Sequence, residues 1–239
     1  MKTILHKADD RGFANYDWLQ ANYSFSFANY FNPDKIQFGA LRVLNDDTIA
    51  PGMGFSTHPH DNMEIITIPL KGSLKHRDSM HNQWQEIKTG EVQVMSAGSG
   101  LMHAERNASQ HEYLNLFQIW ILPNEKNVAP RYDQKVFDAS ERQNALQTLV
   151  TSTKSKHSGS LKIHQEAKIS RLNLSAGKTF DYQMELPSNG LYLMVVDGNL
   201  EVDARQLKTR DAIGIWDTKA VSIQSNSDSD ILFLEVPMG

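Results

Sequence analysis

Two short segments contain the residue types that bind a transition-metal ion. The first places His58 and His60 two residues apart, and the second places His103 and Glu105 at the same spacing. Residues at positions i and i+2 of an extended chain point to the same face, so each pair can present its side chains together. Two extended segments that face each other would bring three imidazoles and one carboxylate to a single ion.

These ligands offer only nitrogen and oxygen, and the chain has no cysteine that could add sulfur. Such donors suit divalent iron, manganese, nickel, cobalt or copper, and zinc is also compatible with them. Four protein ligands leave positions open on a five- or six-coordinate ion, where substrate or dioxygen could bind. The spacing therefore predicts one divalent transition-metal ion in a reactive site rather than a closed structural site.

Glu64 is an alternative carboxylate ligand, since it is in phase with His60 on an unbroken strand. The spacing favours Glu105, and Glu64 would then orient an imidazole from behind. His76 and His81 lie in a polar stretch that is typical of a solvated turn. Four histidines that stand alone are interpreted as surface or hydrogen-bonded residues: His6, His111, His157 and His164.

The segments that must position these side chains have the pattern of short β-strands. Runs rich in β-branched and aromatic residues recur between turn signals, which is typical of a β-sandwich or barrel. The predicted strands are 38–44, 63–70, 91–95, 114–122, 169–174, 191–196, 212–216 and 231–236. A helix is predicted over 138–149, with Asp138 or Ser140 as its cap, and a helical turn near 16–22. Met53, Phe55 and Met63 are close enough to the histidines to line an apolar pocket.

The two halves of the chain share one order of parts. The stretch 71–74 (KGSL) precedes 88–92 (KTGEV), just as 197–200 (DGNL) precedes 208–212 (KTRDA). A repeat of roughly a hundred residues built from strands predicts two stacked β-barrels. The polar stretch 151–160 reads as an exposed connector, and we predict a metal-binding domain over 1–135 and a second barrel over 136–239.

The composition argues against several classes of protein. The formal charge is −4 with a pI near 6.1, and the basic residues are scattered, so we expect no direct contact with nucleic acid. We also expect no membrane span, because no apolar stretch is long enough to cross a bilayer. The first residues lack the apolar core of a secretory signal, which predicts a cytoplasmic protein.

Four segments resemble the pirin family, most closely its bacterial quercetin 2,3-dioxygenase members. They are HPHDNMEI at 58–65, GEVQVMSAGSGLMHAE at 90–105, SFSFANYFNP at 24–33 and ALRVLNDDTIAPG at 40–52. The resemblance implies an all-β bicupin fold, two stacked jelly-roll-type barrels with a few short helices. It places the metal in the N-terminal barrel only, on His58, His60, His103 and Glu105. The corresponding positions of the second barrel fall near Met184, Leu186, Ile223 and Ser225, so that barrel is expected to be structural.

The resemblance also implies an activity, the cleavage of the heterocyclic ring of a flavonol such as quercetin with release of carbon monoxide. The partners would be a phenolic substrate and dioxygen, the favoured metal is iron, and Glu105 would also serve as the general base. We expect a monomer. Two alternatives stay open: a metal-bound protein that regulates a partner protein, as animal pirins do, and an oxygenase for another phenolic metabolite.

Overall fold

The computed structural model describes residues 1–239, and its regular structure is almost entirely β-strand. The strands of the first half are β1 (Lys2–His6), β2 (Gly12–Asn15), β3 (Leu19–Tyr23), β4 (Leu41–Ile49), β5 (Gly54–His60), β6 (Glu64–Lys71), β7 (Ser73–Asp78), β8 (Gln85–Lys88), β9 (Glu91–Ser96), β10 (Leu101–Asn107), β11 (Leu114–Ile121) and β12 (Arg131–Val136). Those of the second half are β13 (Gln147–Ser152), β14 (Leu161–Ile163), β15 (Lys168–Leu174), β16 (Thr179–Gln183), β17 (Asn189–Asp197), β18 (Asn199–Val202), β19 (Arg205–Lys208), β20 (Ala212–Trp216), β21 (Ala220–Ser225) and β22 (Ser229–Pro237).

Two short 3-10 helices, Ala8–Asp10 and Ala139–Arg142, complete the regular structure. Neither has the length or the apolar character that a membrane-spanning helix requires. The all-β architecture with few and short helices is therefore confirmed.

The strands form four sheets, two in each half. In the first half the sheet β5-β10-β7-β8 faces the sheet β12-β9-β6-β11-β4-β3-β2. In the second half the sheet β16-β21-β18-β19 faces the sheet β1-β20-β17-β22-β15-β13-β14. Apolar side chains from both sheets of a pair share one core, as Leu74 and Leu116 do in the first half. Each half is thus a two-sheet barrel, and the repeated strand order confirms the internal repeat.

The largest apolar cluster lies between the two barrels, where their seven-stranded sheets meet. Along β11, Leu116 points into the first barrel while Phe117 and Ile119 point towards the second. Along β22, Phe233 points into the second barrel while Leu232 points towards the first. Strands buried on both faces carry apolar residues without alternation, which explains the uninterrupted apolar runs of the sequence.

The first strand of the chain does not pair within the first barrel. Residues Lys2–His6 form β1, which is antiparallel to β20 at the edge of the second barrel's large sheet. The division of the chain at residues 135 and 136 stays a prediction. The pairing adds that the N-terminal strand belongs to the sheet of the other half.

The helix that the sequence predicts over 138–149 is wrong beyond its first turn. Asp138 caps as expected, since its Oδ1 accepts a hydrogen bond from the Ser140 amide at 2.9 Å, but the helix ends at Arg142. From Gln147 the chain is β13 and pairs with β15. The predicted turn near 16–22 is likewise replaced by β3, which pairs with β4. In both places, pairing with a neighbouring strand overrides the local preference.

Candidate metal centre

Three histidines meet where β5 and β10 lie side by side. His58 and His103 are directly opposite each other in this antiparallel pair. Their Nε2 atoms are 2.9 Å apart, and the ring of His60 lies 4.8 Å from that of His58 and 4.7 Å from that of His103, between centroids. The structure thus brings together the three imidazoles that the spacing selected. We call them the three-histidine cluster.

The electrostatic state of this cluster suits a cation. Burial is the main cause that lowers the pKa of His60 to about 4 and that of His103 to about 3, so both rings are neutral at neutral pH. Nδ1 of His58 lies 2.8 Å from the carbonyl oxygen of Ser56. A carbonyl oxygen only accepts, so Nδ1 is the donor in this contact, and Nε2 is the nitrogen that faces the other two rings. A divalent ion would satisfy such converging lone pairs.

Glu105 is a buried carboxylate beside the cluster. Its Oε2 accepts a hydrogen bond from Nε2 of Gln118 at 3.0 Å, while its Oε1 has no hydrogen-bond partner. Burial acts to raise the pKa of Glu105, but His76 and His103 outweigh it, and the net pKa is lowered. The carboxylate therefore stays ionised and has one free oxygen.

The position of Glu105 relative to the three histidines is less direct than the spacing predicted. Its ligand atom groups with those of His103 and His76, within 4.8 Å of one another, and not with the complete three-histidine cluster. The strand register shifts between His103 and Glu105, so the carboxylate pairs opposite Phe55. Among the three histidines of the cluster, Glu105 therefore lies next to His103 alone.

His76 is not in a solvated turn, and that sequence interpretation is wrong. Its side chain is only 1% exposed, with Nε2 3.1 Å from Oδ2 of Asp78 and Nδ1 3.5 Å from Nδ1 of His103. Along β7 the residues Leu74, His76 and Asp78 alternate as the buried ones, so all three face the barrel interior. The spacing of two residues between Leu74 and His76 could have predicted that His76 faces inward, but the polar composition of the segment favoured a turn. His81, in contrast, is half-exposed.

Glu64 lies outside both groups of potential ligands. It is buried on β6, where its Oε2 accepts a hydrogen bond from the Ser96 hydroxyl at 2.7 Å. His60 and Glu64 do not share a strand face, because β5 ends at His60 and the chain turns at Asn62, which has a φ of +43°. Glu64 then begins β6, which belongs to the other sheet. The geometry therefore favours Glu105 as the carboxylate of the site.

A cavity of about 540 Å³ opens beside the three-histidine cluster, within the size range of small-molecule sites. Its walls are aromatic, and the ring centroids of Trp18 and Phe55 are 5.1 Å apart. The Trp120 ring also lines the cavity and lies 4.9 Å from that of His60. Met53 and Phe55 line this cavity as expected, whereas Met63 lines a neighbouring, more open one.

The interior of the second barrel has a different character. A continuous apolar cluster fills it, in which Tyr182 stacks on Phe233 at 5.2 Å between centroids. Of the positions predicted to correspond to the ligands, Ile223 belongs to this cluster, Met184 packs against it and Leu186 is exposed. Ser225 is buried, and its hydroxyl is hydrogen-bonded to that of Ser229.

Comparison with known proteins identifies relatives over nearly the whole chain. The family model described as Pirin matches residues 6–121, and the model described as Quercetinase C-terminal cupin domain matches 149–236. A quercetin 2,3-dioxygenase of Escherichia coli K12 is 43% identical over 233 residues, which cover 98% of both chains. A pirin-like protein of Caulobacter vibrioides is 39% identical and covers 95% of this chain and 96% of its own.

Solved structures agree with these sequence relatives. The crystal structure of the bacterial pirin YhhW of E. coli in complex with nickel(II) has a TM-score of 0.93 at 39% identity and covers 100% of both chains. A quercetin 2,3-dioxygenase of Acinetobacter baumannii shares the fold at 17% identity, with a TM-score of 0.76 over 99% of this chain and 79% of that one. With a full-length relative above 40% identity and the same bicupin fold, the chain belongs to the pirin family.

Proposed function

We propose that the protein is a metal-dependent dioxygenase that opens the heterocyclic ring of a flavonol such as quercetin. One flavonol and one dioxygen would give one phenolic ester and one carbon monoxide. The observation that carries this proposal is the three-histidine cluster at the wall of an apolar, aromatic cavity. The names of the full-length relatives support the same activity.

The metal would be one divalent transition-metal ion held by His58, His60, His103 and Glu105. Neutral imidazoles and an ionised carboxylate are the protonation states that metal binding requires. The donor set accepts iron, nickel and other divalent ions, and iron remains our expectation for the cell. When bound, the ion supplies Lewis acidity towards a phenolate and redox capacity towards dioxygen.

Glu105 would take the proton of the flavonol 3-hydroxyl. Its Oε1, which has no hydrogen-bond partner in the protein, would accept the proton once the carboxylate has loosened from the ion, and Gln118 holds the other oxygen in place. Deprotonation makes the flavonol ring rich in electrons, which the reaction with dioxygen needs. Trp18, Phe55 and Trp120 offer flat apolar surfaces that would align a planar polyphenol and exclude water.

The test is to add quercetin to the metal-loaded protein and to measure oxygen consumption and carbon monoxide release together. We expect one carbon monoxide to be released for each dioxygen consumed. The His103→Gln variant should lose metal and both signals, whereas the matched variant His157→Gln, at an exposed histidine of the second half of the chain, should keep them. Failure of the metal-replete protein to consume oxygen or release carbon monoxide would overturn the proposal.

Three further expectations from the sequence belong to this proposal. They are a cytoplasmic location, a monomeric state and no direct contact with nucleic acid. Cell fractionation and sedimentation would check the first two, and a DNA-binding titration would check the third.

A further inference from the structure

Two adjacent carboxylates of β4 point to opposite faces of the strand and have opposite surroundings. Oδ2 of Asp46 lies 2.8 Å from Nε of Arg210, and Oδ1 accepts a hydrogen bond from Nδ2 of Asn115 at 2.9 Å. Asp47 lines the cavity of the candidate metal centre, and its Oδ1 has no hydrogen-bond partner. One carboxylate is thus satisfied by the protein, and its neighbour is not.

Asp47 is not compensated by exposure to solvent, because the residue is only 4% exposed. Burial, together with the nearby Asp46 and Glu105, raises the pKa of Asp47 well above its usual range. Asn45, two residues earlier on the same face, also has an unpartnered buried oxygen, Oδ1, and is 3% exposed. Buried oxygens without donors are costly to the fold. A ligand with hydroxyl donors would remove that cost.

The two residues lie away from the metal ligands but in the same cavity. Asn45 is opposite Gln118, the residue that donates a hydrogen bond to Glu105. Asp47 lies two residues further along β4 on the same face, about 7 Å from Asn45. Asn45 and Asp47 also line a second cavity of about 260 Å³, which shares Trp18, Phe27 and Phe55 with the first. A ligand held at the metal would meet Asp47 where the two cavities join.

We propose that Asp47, assisted by Asn45, binds a phenolic hydroxyl on a ring of the substrate that lies away from the metal. This inference rests on the proposed function and narrows its substrate class to flavonols with hydroxyl groups beyond the 3-hydroxyl. The carboxyl group of Asp47 takes the hydroxyl as a hydrogen-bond donor, and the aromatic walls hold the ring beside it.

The test compares quercetin with 3-hydroxyflavone, which has the same ring system but only the 3-hydroxyl. Both are titrated into metal-loaded protein without oxygen, with tryptophan fluorescence as the readout, since Trp18 and Trp120 line the cavity. We expect quercetin to bind about tenfold more tightly, because it gains one hydrogen bond to a buried group that otherwise has no partner. Asp47→Leu should abolish this preference by weakening quercetin binding while leaving 3-hydroxyflavone binding unchanged.

The melting temperature separates a binding role from a structural one. Because Asp47→Leu removes an unsatisfied buried carboxylate, it should not lower the melting temperature. Asp47→Asn keeps a side-chain oxygen that accepts the hydroxyl hydrogen, so it should fold and retain most of the preference for quercetin. Asp46→Asn is the matched control on the opposite face and should retain the preference for quercetin.

The outcomes distinguish this inference from the proposed function. If Asp47→Leu keeps the preference for quercetin, or loses stability and both ligands together, the assignment of Asp47 is overturned while the dioxygenase proposal stands. If neither flavonol binds to the metal-loaded wild type, the proposed function fails and this inference fails with it.

Discussion

The imidazole of His76 and the carboxylate of Asp78 form a buried pair, with Nε2 3.1 Å from Oδ2 and both side chains at most 2% exposed. The backbone amides of Met80 and His81 donate to Oδ1 of Asp78, so the turn after β7 fixes the carboxylate. The other ring nitrogen of His76 faces His103 and lies 3.9 Å from Oε1 of Glu105. The pair therefore packs against two proposed ligands, His103 and Glu105, and holds them in position.

Replacement of Asp78 by asparagine should weaken metal binding about tenfold or more, because partners behind the ligands hold them in the geometry that binds the ion. Competition with a chelator of known affinity measures this change without reference to turnover. The matched variant is Asp133→Asn, at an exposed aspartate, which should bind metal like the wild type. Equal affinities in all three proteins would contradict a positioning role for Asp78.

Replacement of Glu105 by glutamine should separate metal binding from turnover. The three histidines remain, so much of the metal should stay bound, while loss of the proton acceptor should reduce kcat by about a hundredfold or more. Elemental analysis of the purified variant and the oxygen assay measure the two effects. Unchanged turnover in a metal-replete Glu105→Gln protein would refute the role as base.

Glu64 should make the protein less stable as the pH rises. Burial raises the pKa of Glu64 from 4.5 to about 7, so the folded state binds more protons than the unfolded state between these values. The free energy of unfolding should therefore fall as the pH rises from about 4.5 to 7, by up to about 3 kcal/mol from this residue. Glu64→Gln should remove that part of the slope in urea unfolding curves.

The decisive comparison is made at pH 5 and pH 8. The difference in stability between Glu64→Gln and the wild type should favour the variant more at the higher pH. A pH-independent difference would mean that Glu64 is ionised in the folded protein throughout this range.

Arg210 should stabilise the contact between the barrels. Its guanidinium comes from the second half of the chain and lies 2.8 Å from Asp46 of β4, with Asn115 of β11 as a second contact at 3.3 Å. Arg210→Met should reduce the free energy of unfolding by about 2 kcal/mol, because it leaves a buried carboxylate with fewer donors. Arg205→Met, at an exposed arginine of β19, should have little effect. Urea unfolding that gives equal stabilities for both variants would contradict this role.

The residues of the candidate metal site were predictable because the spacing within each segment is local. His58 and His60 share a face of β5, as their i, i+2 spacing indicates, and the pairing of β5 with β10 places His103 opposite His58. His76 was missed because an inward-facing polar residue on a hairpin strand has the composition of a turn. Only the pairing of β7 with β10 brings His76 beside His103.

The alternation and spacing of the sequence by themselves determined the β class, the repeated order of parts and the face shared by His58 and His60, since each shows in the pattern of residue types along the chain. The convergence of His103 on His58 and His60 needed the pairing of β10 with β5. The tertiary structure decided what depends on strand register and on the packing of one sheet against another. It moved Glu64 to a different sheet from His60, placed Glu105 next to His76, and left Asp47 without a donor in the cavity wall. Pairing between distant strands sets these relationships, and no local pattern encodes that pairing.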